Sequence, residues 1–111
     1  MANYNLVLLI GNLTRSPELI FAPSGTAVCK FGLAVNKKYK DKKEVCFVDV
    51  TTFGKKAEFV AQFFDRGHNI IIRGELVLEQ WEKDGVKHSK HSVIAHDVDF
   101  GESKKESGDA Q

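Results

Sequence analysis

Residues 27–36, AVCKFGLAVN, alternate with period two. Cys29, Phe31, Leu33 and Val35 share one face; Lys30, Gly32, Ala34 and Asn36 share the other. That pattern fits a strand with one side buried and one side wet. Residues 45–53, VCFVDVTTF, repeat it: Cys46, Val48 and Val50 face one way, and Phe47, Asp49, Thr51 and Phe53 the other. Gly54 ends that strand and the period changes. Ala57, Val60, Ala61 and Phe64 recur at helical spacing within residues 55–66, which predicts an amphipathic helix closed by Gly67.

The remaining segments fill in around this switch of period. Residues 6–10 form a short apolar run before Gly11-Asn12 and read as a strand buried on both faces. Ser16-Pro17 and Pro23-Ser24-Gly25 punctuate a short stretch at 18–21. Residues 69–82 return to strand character, with Ile70, Ile72, Leu76 and Leu78 inward and Arg73, Glu75, Glu79 and Trp81 outward. Asp84-Gly85 is a strong two-residue hairpin signal. A last strand at about 88–100 buries Ile94, Val98 and Phe100. The order is three strands, one helix, two strands. The expectation is an all-β protein: an OB-fold, a five-stranded Greek-key barrel with a helix between strands 3 and 4, which binds oligonucleotides on one face. Residues 1–100 are expected to form that domain, and residues 101–111, GESKKESGDAQ, a disordered tail.

A chain of 111 residues suffices for one domain with its own core. No apolar run approaches the length of a membrane span, and no signal peptide is read at the N-terminus. The expected location is the cytoplasm, on the nucleoid. Cys29 and Cys46 both fall on apolar strand faces and read as reduced core thiols rather than a disulfide or a CxxC site.

The net charge of +1 does not mark a nucleic-acid binder; the clustering does. NKKYKDKKE, residues 36–44, holds Lys37, Lys38, Lys40, Lys42 and Lys43 around Tyr39. Rich in charge and without periodicity, it reads as a long loop joining two strands. Of eleven aromatic residues, Phe21, Phe31, Phe59, Phe63, Phe64 and Phe100 have places in the core or against the helix. Phe47, Phe53 and Trp81 instead fall on polar strand faces. Clustered water-facing rings are costly to leave idle. Unpaired bases offer flat partners for them, at about 1–3 kcal/mol per stack, and lysines answer the phosphates between. Each feature also has a plainer reading: a solvated loop, a phenylalanine covered by a neighbouring subunit, a tryptophan packed beside a hairpin. Their joint occurrence on one expected barrel face favours single-stranded nucleic acid.

Enzymatic signatures are missing from the sequence: there is no GxSxG, phosphate-binding loop or paired-carboxylate motif. His88 and His91 have no cysteine pair beside them, and their odd spacing sends them to opposite strand faces, so no metal is expected. Two other readings stay open. One is an OB-fold interaction module, as in replication restart or assembly, whose aromatics serve a protein interface. The other is an RNA-binding OB-fold.

The motifs LLIGNLTRSPEL, GTAVCKFGLAVN, FVDVTTFGKKAEFVAQFFDRG and IIIRGELVLEQW, in that order, resemble the bacterial single-stranded DNA-binding proteins from about Asn5 to Phe100. The chain is similar to that family in GNL-x-x-x-PE after the first strand, in FGK-x-AE at the start of the helix, and in the tryptophan seven residues beyond Gly74. The resemblance implies base stacking by Tyr39, Phe47, Phe53 and Trp81 and a motif cation at Lys55; from their own positions the five clustered lysines and the outward Arg73 are expected as further DNA contacts. It implies a homotetramer, paired in part through the strand at 6–10, that binds single-stranded DNA without catalysis or a cofactor, during replication, recombination and repair. Asp49 and Glu79 depart from the pattern: both are acidic on the expected binding face and should repel phosphate locally. The tail lacks the acidic, phenylalanine-ended tip through which the family recruits repair and replication enzymes, so that mode of docking is not expected.

Overall fold

A computed structural model of the chain describes residues 1–102. The elements run β1 (Val7–Leu13), β2 (Glu18–Phe21), β3 (Ala27–Tyr39), β4 (Lys42–Phe53), α1 (Lys55–Phe63), β5 (Asn69–Lys83) and β6 (Val86–Phe100). β1 pairs with both β5 and β3, β5 with β6, β6 with β4, and β4 with β3. Those five strands close a barrel with the helix between its third and fourth members, the OB-fold expected from the order of periods. β2 lies outside the ring, added to β3 from Glu18↔Lys30 to Phe21↔Ala27.

The alternation that opens the sequence builds the interior. Cys29, Phe31 and Leu33 from β3 are fully buried against Val50, Ile70 and Ile72, with Val60 entering from α1. Burial of side chains this size stabilises the fold by about 1.5–3 kcal/mol each. Thr52 is the polar member of that layer, and its hydroxyl donates to the Ala95 carbonyl at 3.0 Å, so the burial leaves no unpaired donor. At one end of the barrel the Phe64 and Phe100 rings stack at 4.7 Å, and Phe59 meets both edge-on. Among the described residues, no helix is long and apolar enough to cross a membrane.

The largest departure from expectation is at residues 36–44, which are not a loop. β3 and β4 stay paired to Lys37↔Glu44, Lys38↔Lys43 and Tyr39↔Lys42, and only Lys40-Asp41 turns, with Lys40 at φ 55°. Interstrand hydrogen bonds hold a lysine-rich arm that lacks any buried stripe.

β1 is not buried on both faces. Leu6, Leu8 and Ile10 are each more than half exposed, because the barrel covers only the side that carries Val7 and Leu9. Leu76 and Leu78 also leave the expected core. The pairing of β1 with β5 begins at Val7↔Gly74, so beyond Gly74 β5 loses that neighbour and the wall that would cover inward side chains. The side chain of Asn5 patches that free edge, accepting from the Leu76 amide at 2.9 Å and donating to its carbonyl at 2.8 Å.

Smaller corrections follow from the barrel's ends. Cys46 is exposed, since its part of β4 belongs to the projecting arm, and only Cys29 is a core thiol. β6 buries Ser92, Val93 and Ala95 more deeply than Ile94, and the extra residue at His96, which breaks the register between Gly74↔Ala95 and Arg73↔Asp97, shifts the phase so that Val98 packs against the core and Phe100 against the helix-end rings. Phe21 is exposed on the outlying β2, and Phe63 lies at the open end of the helix. The helix stops at Phe63: Phe64 is extended (φ −118°, ψ 151°) and its amide still donates to the Val60 carbonyl. Gly67, at φ 88°, serves the following turn and donates to the Leu13 carbonyl at 2.8 Å. Residues 103–111, on which most of the expected disordered tail falls, lie outside the described residues.

Candidate nucleic-acid interface

Pairing in β3 and β4 decides which side chains share the outer wall of the barrel. Lys30 faces Thr51, Gly32 faces Asp49, and Ala34 faces Phe47. Phe47, Asp49, Thr51 and Phe53 therefore stand in one row outside, with Lys30 beside them. Extending that alternation into the arm puts Lys38 and Lys43 on the side of Phe47. Lys37, Tyr39 and Lys42 take the opposite side, and Lys40 sits in the turn.

The rings meet solvent. Phe47 is 70% exposed, Phe53 46%, Trp81 45% and Tyr39 54%. Each has surroundings of its own. Phe47 lines a groove of about 340 Å³ with Thr14, Arg15, Asp49, Lys90 and His91. Phe53 lines one of about 290 Å³ with Arg15, Lys30, Asp49, Val77, Glu79 and Lys90. Arg15, Asp49 and Lys90 border both, so the two depressions form one basic trough between the two phenylalanines. Trp81 stands further along the outer side of β5, two residues beyond Glu79, where its indole stacks on His88. Tyr39 has Lys37 Nζ at 5.9 Å and Lys40 Nζ at 5.5 Å from its ring centre, a distance at which cations interact with an aromatic face.

The two acidic departures prove to be compensated. Lys90 Nζ lies 2.7 Å from one Asp49 oxygen, and Arg15 Nη1 lies 3.7 Å from the other. The Lys90 hydrogen bond is the main reason the Asp49 carboxyl is held below the usual carboxylate range; partial burial opposes it, and the two positive charges assist. The same bond raises Lys90. Glu79 accepts a hydrogen bond from the Ser92 hydroxyl and faces Lys90 across the β5–β6 pair. Gly32 makes room for the arginine: a Cβ there would come within 2.6 Å of Arg15 Nη1.

Arg15 and Lys90 were not singled out by sequence reasoning. Lys30 was visible in the alternation of residues 27–36, yet not chosen. None of the chosen cations lines the trough: the five clustered lysines lie on the β3–β4 arm, and Arg73 and Lys55 sit elsewhere. Arg73 borders a different hollow with Leu8, Ile71 and Asp99, where it pairs with Asp97 at 3.0 Å. Lys55 is exposed at the first position of α1, two residues beyond Phe53. Among the described residues, no group of three or more His, Cys, Asp or Glu side chains is placed to hold a metal.

A family model described as the single-strand binding protein family matches residues 4–101. The chain is 48% identical over 107 residues to a single-stranded DNA-binding protein of Wolinella succinogenes, covering 91% of this chain and 66% of that one. It is 44% identical over 112 residues to one of Helicobacter hepaticus, covering 96% and 65%. The chain thus spans slightly less than two thirds of these relatives' length. A solved structure of a deletion mutant of the single-stranded DNA binding protein from Thermus aquaticus superposes with a TM-score of 0.79 at 32% identity, over 92% of this chain and 52% of that one. With the fold, the motifs and the matched span in agreement, the chain belongs to the single-strand binding protein family.

Proposed function

We propose that this protein binds single-stranded DNA without sequence preference, by stacking bases on Phe47, Phe53 and Trp81 and holding the intervening phosphates with Lys30, Lys38 and Lys43. The observation that carries this reading is the row of exposed rings on the outer barrel wall, bordering a trough with basic walls. Phe47 and Phe53 are six residues apart on one strand, roughly 20 Å, a span suited to several unpaired bases. Duplex DNA hides its base faces and offers such rings nothing to stack on. Tyr39, Lys37, Lys40 and Lys42 extend the surface at the tip of the β3–β4 arm, as contacts to strand passing over its other side. Lys55 and Arg73 are weaker candidates on position alone.

In this proposal the protein coats single strands exposed in replication, recombination and repair, as an assembly of identical copies, four by analogy with the family. Support for the cytoplasmic nucleoid as its place comes from the family alone. Trp81 is the sole tryptophan, so titration of oligo-dT into the whole chain reads the interface directly. Strong quenching by the single strand and none by duplex is expected. Equal response to both, or to neither, would overturn the proposal.

A further inference from the structure

Asp49 stands between Phe47 and Phe53 on the outer row of β4, next to Phe47, where a bound strand would have to pass. A lone carboxylate there would repel every phosphate that approached. It is not alone: Lys90 and Arg15 come from opposite ends of the chain to meet its two oxygens. We infer that Asp49 is a built-in competitor for the phosphate backbone, occupying Lys90 and Arg15 in the free protein and yielding them to DNA phosphates on binding. The inference rests on the single-strand-binding reading above and adds to it a specific device that sets affinity and its response to salt.

The geometry suits exchange rather than a permanent bond. All three side chains are between 44% and 50% exposed, and ion pairs in such surroundings contribute little to stability because solvent screens them. Opening one is cheap. The three groups together carry one net positive charge, so the trough still attracts an anion while both cations share the one carboxylate. Gly32 keeps the space beneath Arg15 open, and the long arginine side chain lies over the strand opposite Asp49 instead of being turned away. When a phosphate takes Lys90 or Arg15, the carboxylate loses its partner and sits close to a like charge. That cost reduces affinity and favours release.

Salt dependence distinguishes this device from a merely structural ion pair. Cations already matched by a protein carboxylate hold fewer salt anions, and the bound phosphate gains less from them. Asp49→Asn keeps the shape, removes the charge and frees both cations. Each phosphate contact no longer opposed by the carboxylate then approaches its full share of the log–log dependence of affinity on salt, about 0.7 for a single strand. The test measures oligo-dT affinity by anisotropy of a labelled oligonucleotide at several salt concentrations, for the whole chain and for Asp49→Asn, Asp49→Glu and Asp49→Asn with Lys90→Gln. The expected result is tighter binding and a steeper slope for Asp49→Asn, near-parental behaviour for Asp49→Glu, and loss of most of the gain in the double variant. Asp49→Asn binding equally or more weakly, with a parallel or shallower slope, would overturn the inference. Failure of the parent itself to bind oligo-dT would instead overturn the reading on which it rests. Thermal melting identifies any variant that fails to fold; should Asp49→Asn be one, Lys90→Gln carries the test, since a cation already matched by Asp49 gives a slope change well below 0.7 on removal, and a full loss of about 0.7 would overturn the inference.

Discussion

The indole of Trp81 lies nearly parallel to the ring of His88, with centroids 5.5 Å apart and planes inclined by 17°. The two residues face each other across the β5–β6 hairpin, close to its Asp84-Gly85 turn. His88 packs against one side of the indole, and Trp81 remains 45% exposed. If Trp81 stacks a base as proposed, that exposed surface is where the base would sit. Trp81→Ala is expected to weaken oligo-dT binding by about 1–3 kcal/mol, with the melting temperature close to that of the parent because the ring is nearly half exposed. Anisotropy of a labelled oligonucleotide checks this, and parental affinity in the folded variant would remove Trp81 from the interface.

Register divides the lysine arm into two sides, and the sides should differ in their effect. Lys38 and Lys43 share the side of Phe47; Lys37 and Lys42 face away with Tyr39. Replacing Lys38 and Lys43 by glutamine should flatten the salt dependence by about 0.7 per lost phosphate contact. The same change at Lys37 and Lys42 should flatten it less. Equal slopes for the two double variants would show that the arm acts only through its total charge.

At Gly74 the backbone of β5 passes close against that of β6. A Cβ built there would collide with the Ile94 carbonyl oxygen and lie 2.9 Å from the Ala95 Cα, both backbone atoms of the facing strand. Backbone cannot step aside as a flexible side chain does. Gly74→Ala is expected to destabilise the barrel by at least about 1–3 kcal/mol, the usual range for overpacking. Denaturant unfolding measures it, and an unchanged midpoint would show that the bulge at His96 absorbs the added methyl.

The sequence made some of this legible, where local chemistry and tertiary packing agreed. Cys29, Phe31 and Leu33 alternate because one strand face meets the core, and all three are fully buried. Asp84-Gly85 declares its turn because both residues take positive φ, 53° and 80°, which this pair tolerates. Lys40-Asp41 makes a two-residue turn without that signature, so the arm it closes read as a loop. Leu76 and Leu78 continue the parity of Ile70 and Ile72, and nothing local says that the barrel wall ends at Gly74. The meeting of Arg15, Asp49 and Lys90 was beyond reach for another reason. The partners are 34 and 41 residues from Asp49, and only closure of the barrel brings them together.

The two thiols should differ sharply in reactivity. Burial first, and then the negative charge of Glu18, pushes the Cys29 thiol up to about 11. At pH 8 about one molecule in a thousand would carry the thiolate there, the form that attacks alkylating reagents. Cys46 is exposed on the β4 arm. Iodoacetamide at pH 8 should modify one thiol per chain quickly and the second only after denaturant is added. Peptide mapping should find the fast site at Cys46. Simultaneous loss of both thiols in the native protein would mean that the core opens around Cys29.

Assembly of identical copies remains to be tested on β1. Leu6, Leu8 and Ile10 form an apolar row on the outer side of the strand, and Leu8 borders a hollow with Ile71 and Val98. An apolar row on a sheet face loses free energy to water at every position, about 25 cal/mol for each Å² left uncovered. A second copy of the same row would cover it, and two-fold pairing is the commonest closed assembly. Leu8 faces Arg73 across the β1–β5 pair, and the Arg73–Asp97 ion pair lies at the edge of the hollow, where a polar rim would surround the apolar centre. Joining copies multiplies the binding surfaces that one strand can reach and raises effective affinity without any new contact to DNA. Leu8→Glu combined with Ile10→Glu would place two charges in the centre of such a contact while leaving the barrel interior untouched. Sedimentation at micromolar concentration should give a multiple of the monomer mass for the parent and the monomer mass for the double variant. The variant should keep its fold and bind long oligo-dT less tightly than the parent, with the difference shrinking for oligonucleotides short enough to occupy one barrel. A parent that sediments as a monomer would refute both the assembly and the gain in affinity ascribed to it.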